Sequence, residues 1–219
     1  ASNDDDVMLV TNSGRAIRFP ATDVRVFNSR ASVGVRGIKL NGDDKVVSMS
    51  ILRHFDATSD ERSAYLKMRR AVAGLADDAD TPAEDEEVNA NATISQERYA
   101  QMSAAENLLL TISEKGSGKL SSSHDYPVRG RGGLGVAAMD RAMRGGDIVA
   151  SFPVELDDQI MLATSKGQSI RVPVEGISFR SRSAGGVKVF DTGRGEVVVS
   201  VARIADQGDA TVETDADDA

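Results

Sequence analysis

The sequence predicts an all-β fold, a propeller-like repeat of about three four-stranded blades broken by one partly helical insertion. Three observations predict it. Gly14, Gly116 and Gly167 sit in equivalent turns, 102 and then 51 residues apart. Each turn is flanked by short apolar runs of strand length. A Gly-Val pair then recurs about 20 residues after each turn glycine, at Gly34-Val35, Gly135-Val136 and Gly186-Val187. A period near 50 residues with four strand-like runs per unit is the pattern of propeller blades. The step of 102 is two periods, one of them occupied by the insertion. With only 4% aromatics, the core has to be aliphatic.

Repeat one occupies residues 1–53. Val7–Thr11 and Ala16–Phe19 form a hairpin around Asn12-Ser13-Gly14-Arg15, where glycine supplies the backbone freedom that a tight turn needs. Val24–Phe27 leads to the basic turn Arg30–Gly37. Ile38-Lys39-Leu40 reads as a third strand, Asn41–Asp44 as a turn and Val46–Ile51 as the fourth strand.

Residues 54–105 are the insertion. Asp60–Gly74 reads as a helix, with Tyr65, Leu66, Met68, Val72 and Leu75 apolar between basic residues. Asp77–Glu87 is acidic, contains Pro82 and is expected to be disordered. Ser95 is a candidate cap for a short helix over Gln96–Ala105.

Repeat two occupies 106–154. Its hairpin is Leu108–Ile112 with Gly118–Leu120, followed by Tyr126-Pro127 and the basic turn Val128–Val136. Asp147–Phe152 closes it. Repeat three occupies 155–204, with Gln159–Thr164, Ser169–Pro173, the basic turn Arg182–Lys188 and Val197–Val201. The tail 205–219 is acidic, almost free of apolar residues and expected to be disordered.

The formal net charge of −8 conceals a division. The repeats carry 21 Lys and Arg against 17 Asp and Glu, a net of +4, whereas the insertion and the tail carry −6 each. A basic body with acidic appendages is the pattern of a nucleic-acid surface.

Catalytic chemistry finds no constellation. There is no cysteine, hence no disulfide or thiol chemistry. His54 and His124 are the only histidines, in no metal-ligand spacing, and read as structural or surface residues. Ser121-Ser122-Ser123, on the loop after a hairpin, has no base beside it. Gly130–Gly135 lacks the Lys-Ser/Thr ending of a phosphate loop. Asp5-Asp6 and Asp157-Asp158 recur at strand starts, where turn chemistry explains them. No apolar run reaches membrane-span length.

The basic turns carry the functional expectation. Glycine lets the backbone approach a phosphate, and arginine adds a fixed charge with forked donors. One such turn is an ordinary solvated loop; three in register would track a DNA backbone without reading bases. The expected phosphate contacts are Arg36, Arg129, Arg131 and Lys188. Arg30, Arg182, Arg18 and Arg171 are expected to support the same rim.

Gly34–Ser48 resembles part of the DNA gyrase A C-terminal domain family. So do Asp158–Leu162, Arg171-Val172 and Gly186-Val187. The resemblance covers all three repeats and the acidic tail. It implies a β-pinwheel, a propeller variant in which neighbouring blades exchange strands, here the last three repeats of such a domain. It further implies a domain that wraps double-stranded DNA and presents it to a cleavage core, supporting negative supercoiling. The implied partners are DNA, the N-terminal part of gyrase A and the gyrase B protein, with no membrane. ATP and Mg would be needed elsewhere in the holoenzyme and no cofactor in this chain, and the location would be cytoplasmic and nucleoid-associated. The family's Gln-Arg-Arg-Gly-Gly-Lys-Gly box is absent. Arg129–Gly135 is a box-like relative, with Leu134 where the box has lysine. Tyr65, Tyr99 and Tyr126 do not match the context of the family's catalytic tyrosine, so no DNA cleavage is expected here. The opening Ala1-Ser2-Asn3, without methionine, suggests a fragment of a longer protein. Two alternatives stand beside this reading: the C-terminal domain of the topoisomerase IV counterpart of gyrase A, and a propeller module that binds acidic proteins.

Overall fold

A computed structural model describes residues 1–74, 89, 91–140, 142 and 145–206. The expected disorder of Asp77–Glu87 and of most of the tail falls outside these residues.

The strands are β1 Asp5–Thr11, β2 Arg15–Pro20, β3 Val46–Arg53, β4 Leu108–Ser113, β5 Ser117–Ser122, β6 Val136–Ala137, β7 Ile148–Val154, β8 Gln159–Thr164, β9 Ser169–Pro173, β10 Val187–Lys188 and β11 Val198–Ile204. Two helices, α1 Ser59–Val72 and α2 Gln96–Ala105, lie between β3 and β4. The hairpin glycines Gly14, Gly116 and Gly167 all have positive φ, 86°, 75° and 82°, so the repeated turn is set by the one residue that adopts it without strain.

All strand pairs are antiparallel. The sheet orders are β3-β1-β2-β6, β10-β5-β4-β7 and β11-β8-β9. Strands are therefore exchanged. β6 belongs to repeat two but pairs with β2 of repeat one, through Arg15 with Ala137 and Ala16 with Val136. β10 of repeat three pairs with β5 of repeat two, through Gly118 with Val187 and Ser117 with Lys188. The two exchanges occur in equivalent register.

The exchange corrects two expectations. Two blades have four strands and one has three, because no strand among the described residues pairs with the free edge of β9. Ile38–Leu40 forms no strand. A third strand pairs with the hairpin of the preceding repeat, and repeat one has no preceding hairpin among these residues. Its segment is instead tied to the next basic turn, with Gly132 N donating to Gly37 O at 2.7 Å and Lys39 N to Gly133 O at 2.8 Å. Ile38 is buried against Val7, Ile17 and Phe19.

Alternate residues of each sheet pack on the neighbouring blade. Met8, Val10, Ala16 and Leu52 of blade one meet Leu109, Tyr126, Val136 and Ile148. Leu110, Ile112, Leu120 and Val154 of blade two meet Ile160, Leu162, Val174 and Val198. The fourth strands β3, β7 and β11 stand side by side along the inner edge, so the exchanged strands mark the outer edge. The outer faces of the terminal blades stay bare: Met49 is 68% exposed on blade one and Val199 54% on blade three.

The described part of the insertion is a docked helical pair. Thr58 caps α1 in a capping box with Glu61, and Ser95 caps α2 through Arg98 N. Tyr65 of α1 and Met102 of α2 are fully buried. The Tyr65 ring meets the His124 ring edge-on at 5.0 Å, and His124 Nε2 donates to Met102 O at 2.8 Å. His124 is thus a buried joint. Ser121 and Ser122 lie on β5 rather than on a loop, where they are buried with Ser123.

Candidate nucleic-acid interface

Each basic turn delivers the exchanged strand that follows it, so its path is fixed at both ends. The approach is anchored by Arg129 N donating to Arg18 O and by Arg180 N donating to Leu120 O, both at 2.8 Å. At the exit, Gly135 has φ 72°, and a Cβ there would stand 2.3 Å from Ala16 O. Only glycine admits so close an approach of two backbones.

Arg131 and Arg182, equivalent at a step of 51, point inward. Arg131 Nε donates to Asp23 O at 3.2 Å and its Nη1 to Arg36 O at 2.5 Å. Arg182 makes the equivalent contact more tightly, with Nε donating to Asp125 O at 2.8 Å and Nη1 to Ala137 O at 3.0 Å. Its backbone N donates to Asp125 Oδ2 at 2.6 Å. Asp23 and Asp125 are themselves equivalent, 102 residues apart. These arginines latch a turn onto the preceding blade.

Lys119 strengthens the latch in blade two. It is fully buried, and its Nζ donates to the carbonyls of Ser181, Arg182 and Ala184 at 2.7, 2.6 and 2.7 Å. Three charge-assisted bonds satisfy all three ammonium donors, which makes burial of the charge tolerable. Blade one has Ile17 at this position, so its turn is held without the cation. The lysine sits mid-strand among serines, and only its partners reveal its work.

The eight expected site residues divide accordingly. Arg30, Arg36, Arg129, Arg171 and Lys188 are exposed, and Arg131 is half-buried. Lys188 Nζ reaches Asp191 Oδ1 at 2.8 Å with both groups largely solvated, a weak pair that a phosphate can replace. Arg18 and Arg182 are corrected: they are 3% and 4% exposed and face inward. Arg18 Nε donates to Asp6 Oδ2 at 2.7 Å, Nη1 to Ser123 O at 2.7 Å and Nη2 to Arg53 O at 2.8 Å. Asp6, also fully buried, receives His54 Nδ1 at 2.8 Å. Blade three has Gln159 at the position of Asp6; its neighbour Asp158 is held by Arg203 Nε at 2.5 Å, and Arg171 is exposed. The repeated aspartates are therefore ion-pair anchors as well as strand starts. The sequence reading also passed over two cations. Exposed Lys39 lies beside the Gly133 carbonyl, and Arg180, equivalent to Arg129 at a step of 51, has a buried Nε with no hydrogen-bond partner among the described residues.

The comparisons with known proteins follow the repeat boundaries. The profile of the DNA gyrase C-terminal domain, beta-propeller, matches residues 5–53, 107–152 and 158–205, more than half of the chain, and skips the insertion. The DNA gyrase A protein of Granulibacter bethesdensis is 46% identical over 208 residues, covering 90% of this chain and 22% of that protein. The gyrase A protein of Rickettsia bellii is 38% identical over 209 residues, covering 94% and 22%. The chain thus spans about a fifth of the length of these relatives. Among solved structures, a C-terminal domain of DNA topoisomerase IV superposes with a TM-score of 0.62 at 19% identity, covering 92% of this chain and 47% of that one. The Escherichia coli ParC C-terminal domain gives 0.53 at 12%, covering 93% and 64%. At these identities the superpositions speak for the fold alone. The sequence profile and the relatives agree with the exchanged-strand blades: the chain belongs to the DNA gyrase C-terminal domain family, the β-propeller-like domain of gyrase A.

Proposed function

We propose that this chain is the DNA-binding and DNA-wrapping part of a type IIA topoisomerase, acting within gyrase A. The observation that carries the reading is the repeated basic turn at the outer edge of neighbouring blades, with Arg36, Arg129 and Lys188 exposed on it. Cations spaced along one edge suit the continuous charge of a duplex backbone. They carry little sequence information, as wrapping requires. Arg30, Arg131 and Arg171 support the same edge electrostatically. Arg18 and Arg182 shape the blades.

In this reading the wrapped duplex is handed to the N-terminal part of gyrase A, and the gyrase B protein completes the holoenzyme. ATP hydrolysis with Mg²⁺ belongs to those other parts, and the assembly works on DNA in the bacterial cytoplasm, at the nucleoid. The sequence relatives, which are gyrase A proteins, favour gyrase over topoisomerase IV.

The test is binding to unrelated duplexes across a salt series. Each phosphate contact contributes about 0.9 to the slope of log affinity against log salt. Replacing Arg36, Arg129 and Lys188 together by alanine should flatten the slope by roughly 2.7 and weaken all duplexes alike. An unchanged slope would make them ordinary solvated turn residues.

A further inference from the structure

The insertion carries a net charge of −6, which alone would make it repel DNA. Its folded part is sorted differently. Four of the insertion's five basic residues, Arg62, Lys67, Arg69 and Arg70, lie on α1. The acidic groups next to them are occupied. Glu61 accepts from Arg98 Nε at 2.8 Å, and Glu106 from Arg69 Nε at 2.9 Å. Asp56 accepts from His54 at 3.1 Å, and Asp60 from Asn89 N at 2.9 Å.

α1 is also aimed. Its last turn reaches repeat three, where the Arg69 guanidinium lies 3.8 Å from the centre of the Phe179 ring. Phe179 is the residue before Arg180, at the start of the third basic turn. Arg70 lies close enough to Asp125, which receives the Arg182 backbone, to help hold that carboxyl ionised against its burial. Lys67 and Arg70 are three residues apart, hence on one side of the helix, away from the fully buried Tyr65. Neither makes a hydrogen bond or ion pair among the described residues, and Lys67 is exposed.

We propose that α1 is a further DNA-backbone contact, with Lys67 and Arg70 extending the basic turn of repeat three onto the insertion. The Arg69–Phe179 stack sets Arg70 within about one helical turn, ~5.4 Å along the axis, of the residue that docks on that turn. The ligand is duplex DNA rather than an acidic protein segment, because these cations extend the basic edge proposed above to follow a duplex backbone. The inference rests on the DNA-binding reading.

The experiment uses the whole chain and a random-sequence duplex, followed by fluorescence anisotropy over a salt series. Lys67→Gln with Arg70→Gln should flatten the salt slope by about 1.8 and lower affinity at 0.1 M salt by roughly tenfold or more. A charge-matched control, Lys166→Gln with Arg194→Gln, alters exposed residues at the hairpin end of blade three and should change binding far less. Equal losses in both pairs would reduce the effect to net charge and overturn the inference. So would an unchanged or tighter affinity in the α1 pair while Arg129→Ala still weakens binding, and the DNA-binding reading would then stand without it. Wild-type chain that binds no duplex would overturn that reading itself.

Discussion

At the scale of the residue, equivalent arginines do unlike work. Arg18 and Arg171 answer each other in the repeats, yet one is buried on Asp6 and the other is solvated. Arg18→Ala would leave Asp6 and two backbone carbonyls without their cation, a loss of about 3–5 kcal/mol. Arg171→Ala should cost under ~0.5 kcal/mol. Urea denaturation of the two variants checks this, and equal midpoints would contradict the buried pair. The histidines give opposite pH signatures. The hydrogen bond to Asp6, opposed by partial burial and helped by Asp56, raises the pKa of His54. Its stabilisation is therefore complete below the unfolded value near 6.5 and fades as pH rises through the folded value. Burial lowers the pKa of His124 against the pull of the Met102 carbonyl. Its contribution is complete above 6.5 and fades as pH falls toward the folded value. The stability gap between wild type and His54→Gln should accordingly narrow between pH 6 and 9. A gap that widened would reverse the sign of the Asp6 contact.

At the scale of the element, the hairpins were legible because turn glycine and flanking apolar runs are local signals. β9 has the bounds expected for it, and so does α2, which Ser95 starts. The third strand was legible as a motif but not as a pairing, because Gly-Val carries no information about which sheet receives it. Hence Ile38–Leu40 reads as a strand, although the donor unit of repeat one is Gly34-Val35-Arg36, which pairs with no strand among the described residues. Arg18 and Arg182 were misplaced for a related reason. Their partners, Asp6 and Asp125, are 12 and 57 residues away, and a basic residue near a turn looks solvated until its acceptor is known. The glycines of the exchange give a clean test. Gly135→Ala must place a Cβ against Ala16 O at a positive φ, whereas a Cβ at Gly34 meets nothing within 4 Å. The first substitution should cost at least ~1–3 kcal/mol and loosen β6 from β2. The second should leave the midpoint of thermal unfolding nearly unmoved. Equal effects would mean that the close approach at Gly135 contributes nothing.

At the scale of the whole molecule, exchange leaves complementary ends. β9 has an edge that in blades one and two is covered by an incoming strand. Gly34-Val35-Arg36 has the sequence of that strand and pairs with no strand among the described residues. The bare face around Met161 and Val199 on blade three corresponds to faces that elsewhere pack on a neighbour, as does the bare face of Val47, Met49 and Ile51 on blade one. An interface between repeats that has no neighbour among the described residues exposes apolar surface that burial stabilises. The register is fixed by the two exchanges present. Ala16 pairs with Val136 and Gly118 with Val187, so Ser169 should pair with Val35 of a second copy. The chain has no cysteine, which permits a direct trap. Val35→Cys with Ser169→Cys should give disulfide-linked dimers and longer head-to-tail species under mild oxidation, in amounts that rise with protein concentration. Moving one cysteine to Gln168 shifts the register by one and should abolish most of the product, because neighbouring strand positions face opposite ways. Monomer alone at high concentration would show that the free edge of β9 repels rather than accepts a strand. Equal cross-linking from positions 168 and 169 would show collision without pairing.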